Sequence, residues 1–260
     1  DLNNGQADEA FAQVKDHPYL NLLGLHCHIG SQIFETDGFA LAAGKVMNKM
    51  GAWKQSHGFE CSVLNLGGGF GIRYTEEDKP LEPHVYVEEM IKSVQEEAEA
   101  VKLAMPEIWI EPGRSLVGDA GTSLYTVGSQ KTVPGVREYI AVDGGMSDNI
   151  RPALYDAKYE AIIANKADQV KDSTYTVAGK LCESGDKLII DAALQKAESG
   201  DILAMFCTGA YGYSMASNYN RVPRPAVVFV EAGEHQLAIR RESYDDIVVN
   251  DLPLTLKKGE

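Results

Sequence analysis

Cysteine is scarce: Cys27, Cys61, Cys182 and Cys207 are the only four in 260 residues, and no two form a C-x-x-C pair. That excludes a disulfide framework and points to a reducing, cytoplasmic setting. No apolar run is long enough to cross a bilayer. The opening Asp1-Leu2-Asn3-Asn4-Gly5 has neither the basic nor the apolar part of a signal peptide. It also lacks an initiating Met, as expected of a processed or cut chain. Basic residues are outnumbered, 24 Lys and Arg against 38 Asp and Glu, for a formal charge of −14. A surface this acidic has no field to hold nucleic acid or an anionic membrane. Small anionic substrates stay open, because a local Arg cluster overrides the net field. Repeats and low-complexity tracts are absent.

What is present is apolar material: 44% of the residues are hydrophobic, enough for one large core or two ordinary ones. The first 118 residues alternate helix and strand. Ala7 to Lys15 reads as the end of a helix, and Leu22 to Ile29 as a buried strand ahead of Gly30. Phe39, Ala42, Ala43, Val46, Met47, Met50 and Trp53 recur at helical spacing across Gly38 to Gln55. Val63 to Leu66 is a strand entering Gly67-Gly68-Gly69. Val85 to Leu103 is a helix ended by Pro106, and Ile108 to Glu111 a strand stopped by Pro112-Gly113. Serial strand–helix units predict a parallel sheet, with chemistry at the C-terminal strand ends. Only three such strands are present, whereas a closed (β/α)8 barrel needs eight. The expectation is therefore the later half of a barrel, the first half lying outside this chain.

From about Gly121 the pattern changes. Leu124 to Gly128, Glu138 to Val142, Thr174 to Ala178, Leu188 to Ile190, Leu203 to Cys207, Ala226 to Val230 and Gln236 to Arg240 are short β-branched runs. Turns such as Val133-Pro134-Gly135 separate them, so residues 119–260 are expected to form an antiparallel β-barrel or sandwich.

Six segments concentrate reactive residue types. In His26-Cys27-His28-Ile29-Gly30-Ser31-Gln32, the two histidines share one face of a strand. They suit a pocket, a zinc pair, or a hydrogen-bonded core. Gly67-Gly68-Gly69-Phe70-Gly71 lets backbone N–H groups approach an anion such as phosphate, or is a plain tight turn. Glu111-Pro112-Gly113-Arg114 is an ion pair, or a carboxylate for a protonated ring nitrogen with an Arg for an anion. In the long turn from Asp143 to Tyr155, Arg151 has the geometry to grip a carboxylate with two parallel hydrogen bonds, or is a solvated Arg. Cys182-Glu183-Ser184-Gly185-Asp186 sets a thiol beside two carboxylates, a proton donor or an inert loop. Gly209 to Ser217 surrounds Tyr211 and Tyr213 with small residues, for a ligand or a turn.

Taken in order, H-x-H-I-G-S-Q, G-G-G-F-G, E-P-G-R, D-G-G-M-x-D-x-x-R-P-x-L-Y, C-E-S-x-D and G-A-Y-x-x-S-M-x-S form a series that resembles the PLP-dependent decarboxylases of the alanine-racemase-like fold type. Within that group it is most similar to the diaminopimelate decarboxylases, from about Gly24 to Tyr244. The resemblance implies a (β/α)8 barrel followed by a C-terminal β domain, and a homodimer with active sites at the interface. It implies pyridoxal 5'-phosphate as cofactor, with His28 on the ring face, Ser31 and Gly67-Gly68-Gly69 on the phosphate, and Glu111 on the pyridine nitrogen. Gly113, Arg114 and Tyr211 join the cofactor contacts. Arg114, Arg151, Tyr155, Glu183 and Tyr211 are implied on the substrate, and Cys182 as the acid of the partner subunit's site. No metal is implied. The reaction would turn meso-2,6-diaminopimelate into L-lysine and CO2, a step of lysine biosynthesis. Decarboxylases of ornithine, arginine or carboxynorspermidine, and a non-catalytic binding relative, are the competing readings. The family's Schiff-base lysine, in a Tyr-x-x-Lys-Ala setting, has no match here, since Lys158 follows the R-P-x-L-Y run. This chain alone is therefore expected not to decarboxylate.

Overall fold

The computed structural model describes residues 1–254; the last six residues of the expected 119–260 domain lie outside them. The chain divides into two compact units, the first spanning Asp1–Gly118 and the second starting at Asp119.

Unit 1 is α/β. Its elements are α1 (Gln6–Val14), β1 (Gly24–His26), α2 (Asp37–His57), β2 (Val63–Asn65), α3 (Pro83–Val101), β3 (Glu107–Trp109) and the single turn α4 (Arg114–Val117). The strands form one parallel sheet in the order β1-β2-β3. All seven apolar residues read at helical spacing in α2 are buried. All of these but Ala42 join Leu64, Phe70, Tyr86, Met90 and Val94 in one core. Phe70 and Tyr86 stack with ring centroids 4.8 Å apart. Burying a side chain of this size stabilises the fold by roughly 1.5–3 kcal/mol, so α2 and α3 anchor the sheet.

Three readings of unit 1 need correction. The strand expected over residues 22–29 is only three residues long, and it is partly exposed because β1 is an edge of its sheet. His28 thus lies beyond the strand, although Cys27 N–H still donates to the Asn65 carbonyl at 2.9 Å. The helix α3 stops before Pro106, at Lys102, whose left-handed φ of 55° turns its N–H back onto the Ala98 and Glu99 carbonyls. And β3 ends at Trp109, leaving Glu111 just past the strand.

Unit 2 contains β4 (Ser123–Val133), β5 (Arg137–Val142), α5 (Arg151–Tyr155), β6 (Ala161–Ile163), β7 (Ser173–Ala178), β8 (Lys187–Leu194), β9 (Ile202–Met205), β10 (Val227–Glu231), β11 (Glu234–Ile239) and α6 (Tyr244–Val248). Six strands form one sheet in the order β6-β9-β4-β5-β7-β8, and β10 and β11 form a separate hairpin. The register of β4 shifts between Val127 and Gln130, so its first half pairs with β9 and its second with β5. The expected antiparallel pattern fails at one place: β5 and β7 run parallel. The intervening chain carries α5 and β6, and a crossover of that length permits a parallel pair. The strand β6 was not anticipated, being too short to show a pattern by itself. Residues 151–155, read as part of a long turn, form a helical turn with Pro152 in its first positions. No helix among the described residues is long and apolar enough to cross a membrane.

Candidate active site

In unit 1 the register brings His26, Asn65 and Trp109 side by side. Two residues further on, His28, Gly67 and Glu111 leave the same end of the sheet, and Glu111 N–H donates to the Gly67 carbonyl at 2.8 Å. The Glu111 side chain is exposed but oriented: Oε1 accepts from Asn65 Nδ2 at 2.9 Å, and His26 Nε2 lies 3.4 Å from Oε2. Asn65 works from both ends, its Oδ1 accepting the Gly67 N–H at 2.9 Å. The Gly68 N–H donates to His28 Nδ1 at 3.4 Å, which steadies the exposed imidazole.

The glycines are demanded first by packing. A Cβ on Gly68 would overlap the Glu111 carbonyl, and one on Gly69, at φ 102°, would overlap the Gly30 carbonyl. Neighbouring strand ends approach too closely for any side chain. Two of the three loop amides, those of Gly67 and Gly68, are engaged as above.

Arg114 is buried, at 7% exposure. Its guanidinium donates to Ser31 Oγ at 2.9 Å and to the Tyr74 hydroxyl. The Arg thus braces the loop that carries Ser31, and a second brace is Gln32, which hydrogen-bonds both the N–H and the carbonyl of Ile72. Gly113 is open: a Cβ there meets nothing within 4 Å. Asn65 and Tyr74 were missed at the sequence level because an Asn at a strand end and a Tyr in a loop carry no pattern.

In unit 2, Arg151 starts α5. Its Nε donates to Tyr159 Oη at 2.9 Å, and its Cζ lies 5.5 Å from the Tyr155 ring centroid and 5.6 Å from that of Tyr211. Tyr211 is half-exposed and adopts a positive φ of 58°. Three of the singled-out residues therefore meet here, with Tyr159 as an unanticipated fourth.

Cys182 and Glu183 stand exposed on the following turn. Cys182 N–H donates to Asn220 Oδ1 at 3.3 Å, and Glu183 Oε2 accepts from Tyr219 Oη at 3.3 Å. Asp186, read as a second carboxylate beside the thiol, is instead a buried support. At 4% exposure it accepts the N–H groups of Met146 at 2.6 Å and Leu181 at 2.8 Å. It thereby ties the turn carrying Cys182 to the loop leading to Arg151. Asp148 accepts the Gly145 N–H at 3.0 Å in that same loop. Burial pushes both carboxyls above the usual carboxylate range, against the pull of these N–H groups. Among the described residues no three His, Cys, Asp or Glu side chains are grouped to hold a metal ion.

Residues 2–118 match the family model of the pyridoxal-dependent decarboxylase pyridoxal binding domain. The diaminopimelate decarboxylase of Bacillus subtilis is 64% identical over 97% of this chain. Among solved structures, diaminopimelate decarboxylase from M. jannaschii, in co-complex with L-lysine, matches 98% of this chain with a TM-score of 0.90 and 37% identity. That from Helicobacter pylori, complexed with L-lysine, matches 94% with a TM-score of 0.82 and 30% identity. The chain spans 58% of the Bacillus subtilis protein's length, 57% of the M. jannaschii chain and 58% of the Helicobacter pylori chain.

Proposed function

We propose that this chain, which resembles the pyridoxal-dependent decarboxylases in its residues 2–118 and the diaminopimelate decarboxylases over nearly its whole length, is the later part of an enzyme converting meso-2,6-diaminopimelate to L-lysine and CO2. Residues 1–118 would be the second half of a (β/α)8 barrel and residues 119–260 its C-terminal β domain, in a cytoplasmic homodimer. The observation that carries the reading is the convergence of His28, the Gly67-Gly68-Gly69 loop and an oriented Glu111 carboxylate at one end of a parallel sheet.

The residues present fit pyridoxal 5'-phosphate. A flat cationic heterocycle needs an aromatic face, an anion at its ring nitrogen and N–H donors at its phosphate. His28, Glu111 and the loop amides with Ser31 are of those kinds. Arg114 braces Ser31 from behind and adds positive charge beside Gly113. When bound, the cofactor supplies an electron sink for the bond that breaks.

The protein's part is to hold protons and orient the substrate. Glu111, held by Asn65, keeps the proton on the pyridine nitrogen. Arg151 takes the carboxylate at the far end of the substrate and Glu183 the ammonium there, with Tyr155 and Tyr211 closing around them. Cys182 delivers a proton to the carbon that loses CO2, serving the site of a second subunit. Arg151 suits a substrate with a second carboxylate better than ornithine, which has none there to engage it.

The test is a substrate panel on the full-length protein loaded with pyridoxal phosphate. L-lysine should form from meso-diaminopimelate, with ornithine and arginine far poorer. Turnover of ornithine at a comparable kcat/KM, or no turnover of diaminopimelate, would overturn the assignment.

A further inference from the structure

Tyr159 belongs to none of the motifs singled out above, yet it makes the hydrogen bond that orients Arg151. It is 3% exposed, deep for a residue whose hydroxyl needs a partner. Its burial comes from the strand that follows: Tyr159, Ala161 and Ile163 alternate inward. The Phe206 N–H donates to the Glu160 carbonyl at 3.0 Å, extending the β6–β9 ladder back toward Tyr159. Upstream, α5 ends at Asp156 in a left-handed conformation, φ 52°. That reversal carries the chain back so that Tyr159 meets the side chain that opened the helix. A phenol mounted on a sheet therefore receives the Nε–H of an Arg mounted on a helical turn.

The consequence is directional. A guanidinium is rigid and planar, so fixing Nε fixes the direction of its two terminal nitrogens. The Tyr155 and Tyr211 rings near the same carbon restrict it further. A bidentate grip on a carboxylate depends on that plane being preset; otherwise binding must order the side chain first. Resting on the diaminopimelate reading, we infer that Tyr159 is the positioning residue for Arg151 and sets the preference for ligands bearing a carboxylate at the far end.

The test uses the full-length holoenzyme, Tyr159→Phe, and three ligands. Meso-diaminopimelate and the product L-lysine both carry the far carboxylate; 1,5-diaminopentane does not. Losing one hydrogen bond to a charged group should raise the KM for diaminopimelate and the inhibition constant of L-lysine together, by roughly tenfold. The kcat should fall far less than KM rises, and the inhibition constant of 1,5-diaminopentane should stay within about twofold. In an Arg151→Met background, Tyr159→Phe should change KM no further. A uniform loss across all three ligands, or an unchanged KM, would overturn the inference while the decarboxylase reading stands. If wild type does not act on diaminopimelate, both fall together. Should Tyr159→Phe not fold, wild type still decides: the Arg151 Nε–H must exchange slowly with solvent by NMR, and fast exchange refutes the positioning role.

Discussion

Glu111, just past the end of β3, and Cys182, on the turn between β7 and β8, both stand exposed, but they are held there by different means. In unit 1 the support is main chain: three strands in register, with glycines packed against neighbouring carbonyls, set where His28 and Glu111 emerge. Asn65 then adjusts one carboxylate. In unit 2 the support is buried polar side chains: Asp186 joins two loops, and Tyr159 aims Arg151. A site built on strand ends inherits the sheet's rigidity, whereas one built on turns needs internal ties of its own.

The comparison sharpens first at Gly68. Gly68→Ala drives a methyl group into the Glu111 carbonyl, and main chain cannot step aside cheaply. It should destabilise the fold by about 3 kcal/mol, at the upper end of overpacking. Urea unfolding measures this; a loss of less than about 1 kcal/mol would mean the strand ends are not held by close backbone contact.

Next in size is Asp186→Ala, which leaves the buried Leu181 N–H and the half-buried Met146 N–H without their acceptor and should cost about 2 kcal/mol. It should also speed alkylation of Cys182 by loosening its turn. The pH dependence has a definite sign. Burial raises the carboxyl pKa of Asp186 in the folded state, so the folded chain binds that proton more readily than the unfolded chain. The stability attributable to this group therefore falls as pH rises from about 4, the ordinary carboxylate value, through the raised folded one. Urea midpoints of wild type and Asp186→Asn across that range check it: the fall should be shallower in the variant.

The smallest effect is expected at Glu111. Its side chain is exposed, so Glu111→Gln should change stability by less than about 0.5 kcal/mol, while weakening pyridoxal phosphate binding and turnover in the full-length enzyme. A large loss of stability there would dissolve the distinction between support and site in unit 1.

The same contrast explains what was legible in the sequence. The core face of α2 could be read because seven apolar residues repeat at helical spacing; the three consecutive glycines after a strand marked a turn, but by themselves did not separate an anion loop from a plain tight turn. The motif series named the exposed groups of both units. It did not reveal how unit 2 holds them, because a buried Asp and a solvated one look alike in a loop. Tyr159 left only a faint trace, the alternation Tyr159-x-Ala161-x-Ile163, in a strand too short to stand out. The parallel β5–β7 pair was hidden for a related reason: strand propensity marks a strand but not its partner or direction.

The central claim is that these residues hold pyridoxal phosphate while the covalent lysine lies elsewhere in the protein. The direct measurement is borohydride reduction of the full-length protein after loading with the cofactor, followed by peptide mass mapping. The account predicts one phosphopyridoxyl adduct per chain, on a lysine outside the 260 residues described by this sequence. An adduct confined to a lysine within them, such as Lys158, or no stoichiometric adduct at all, would contradict it.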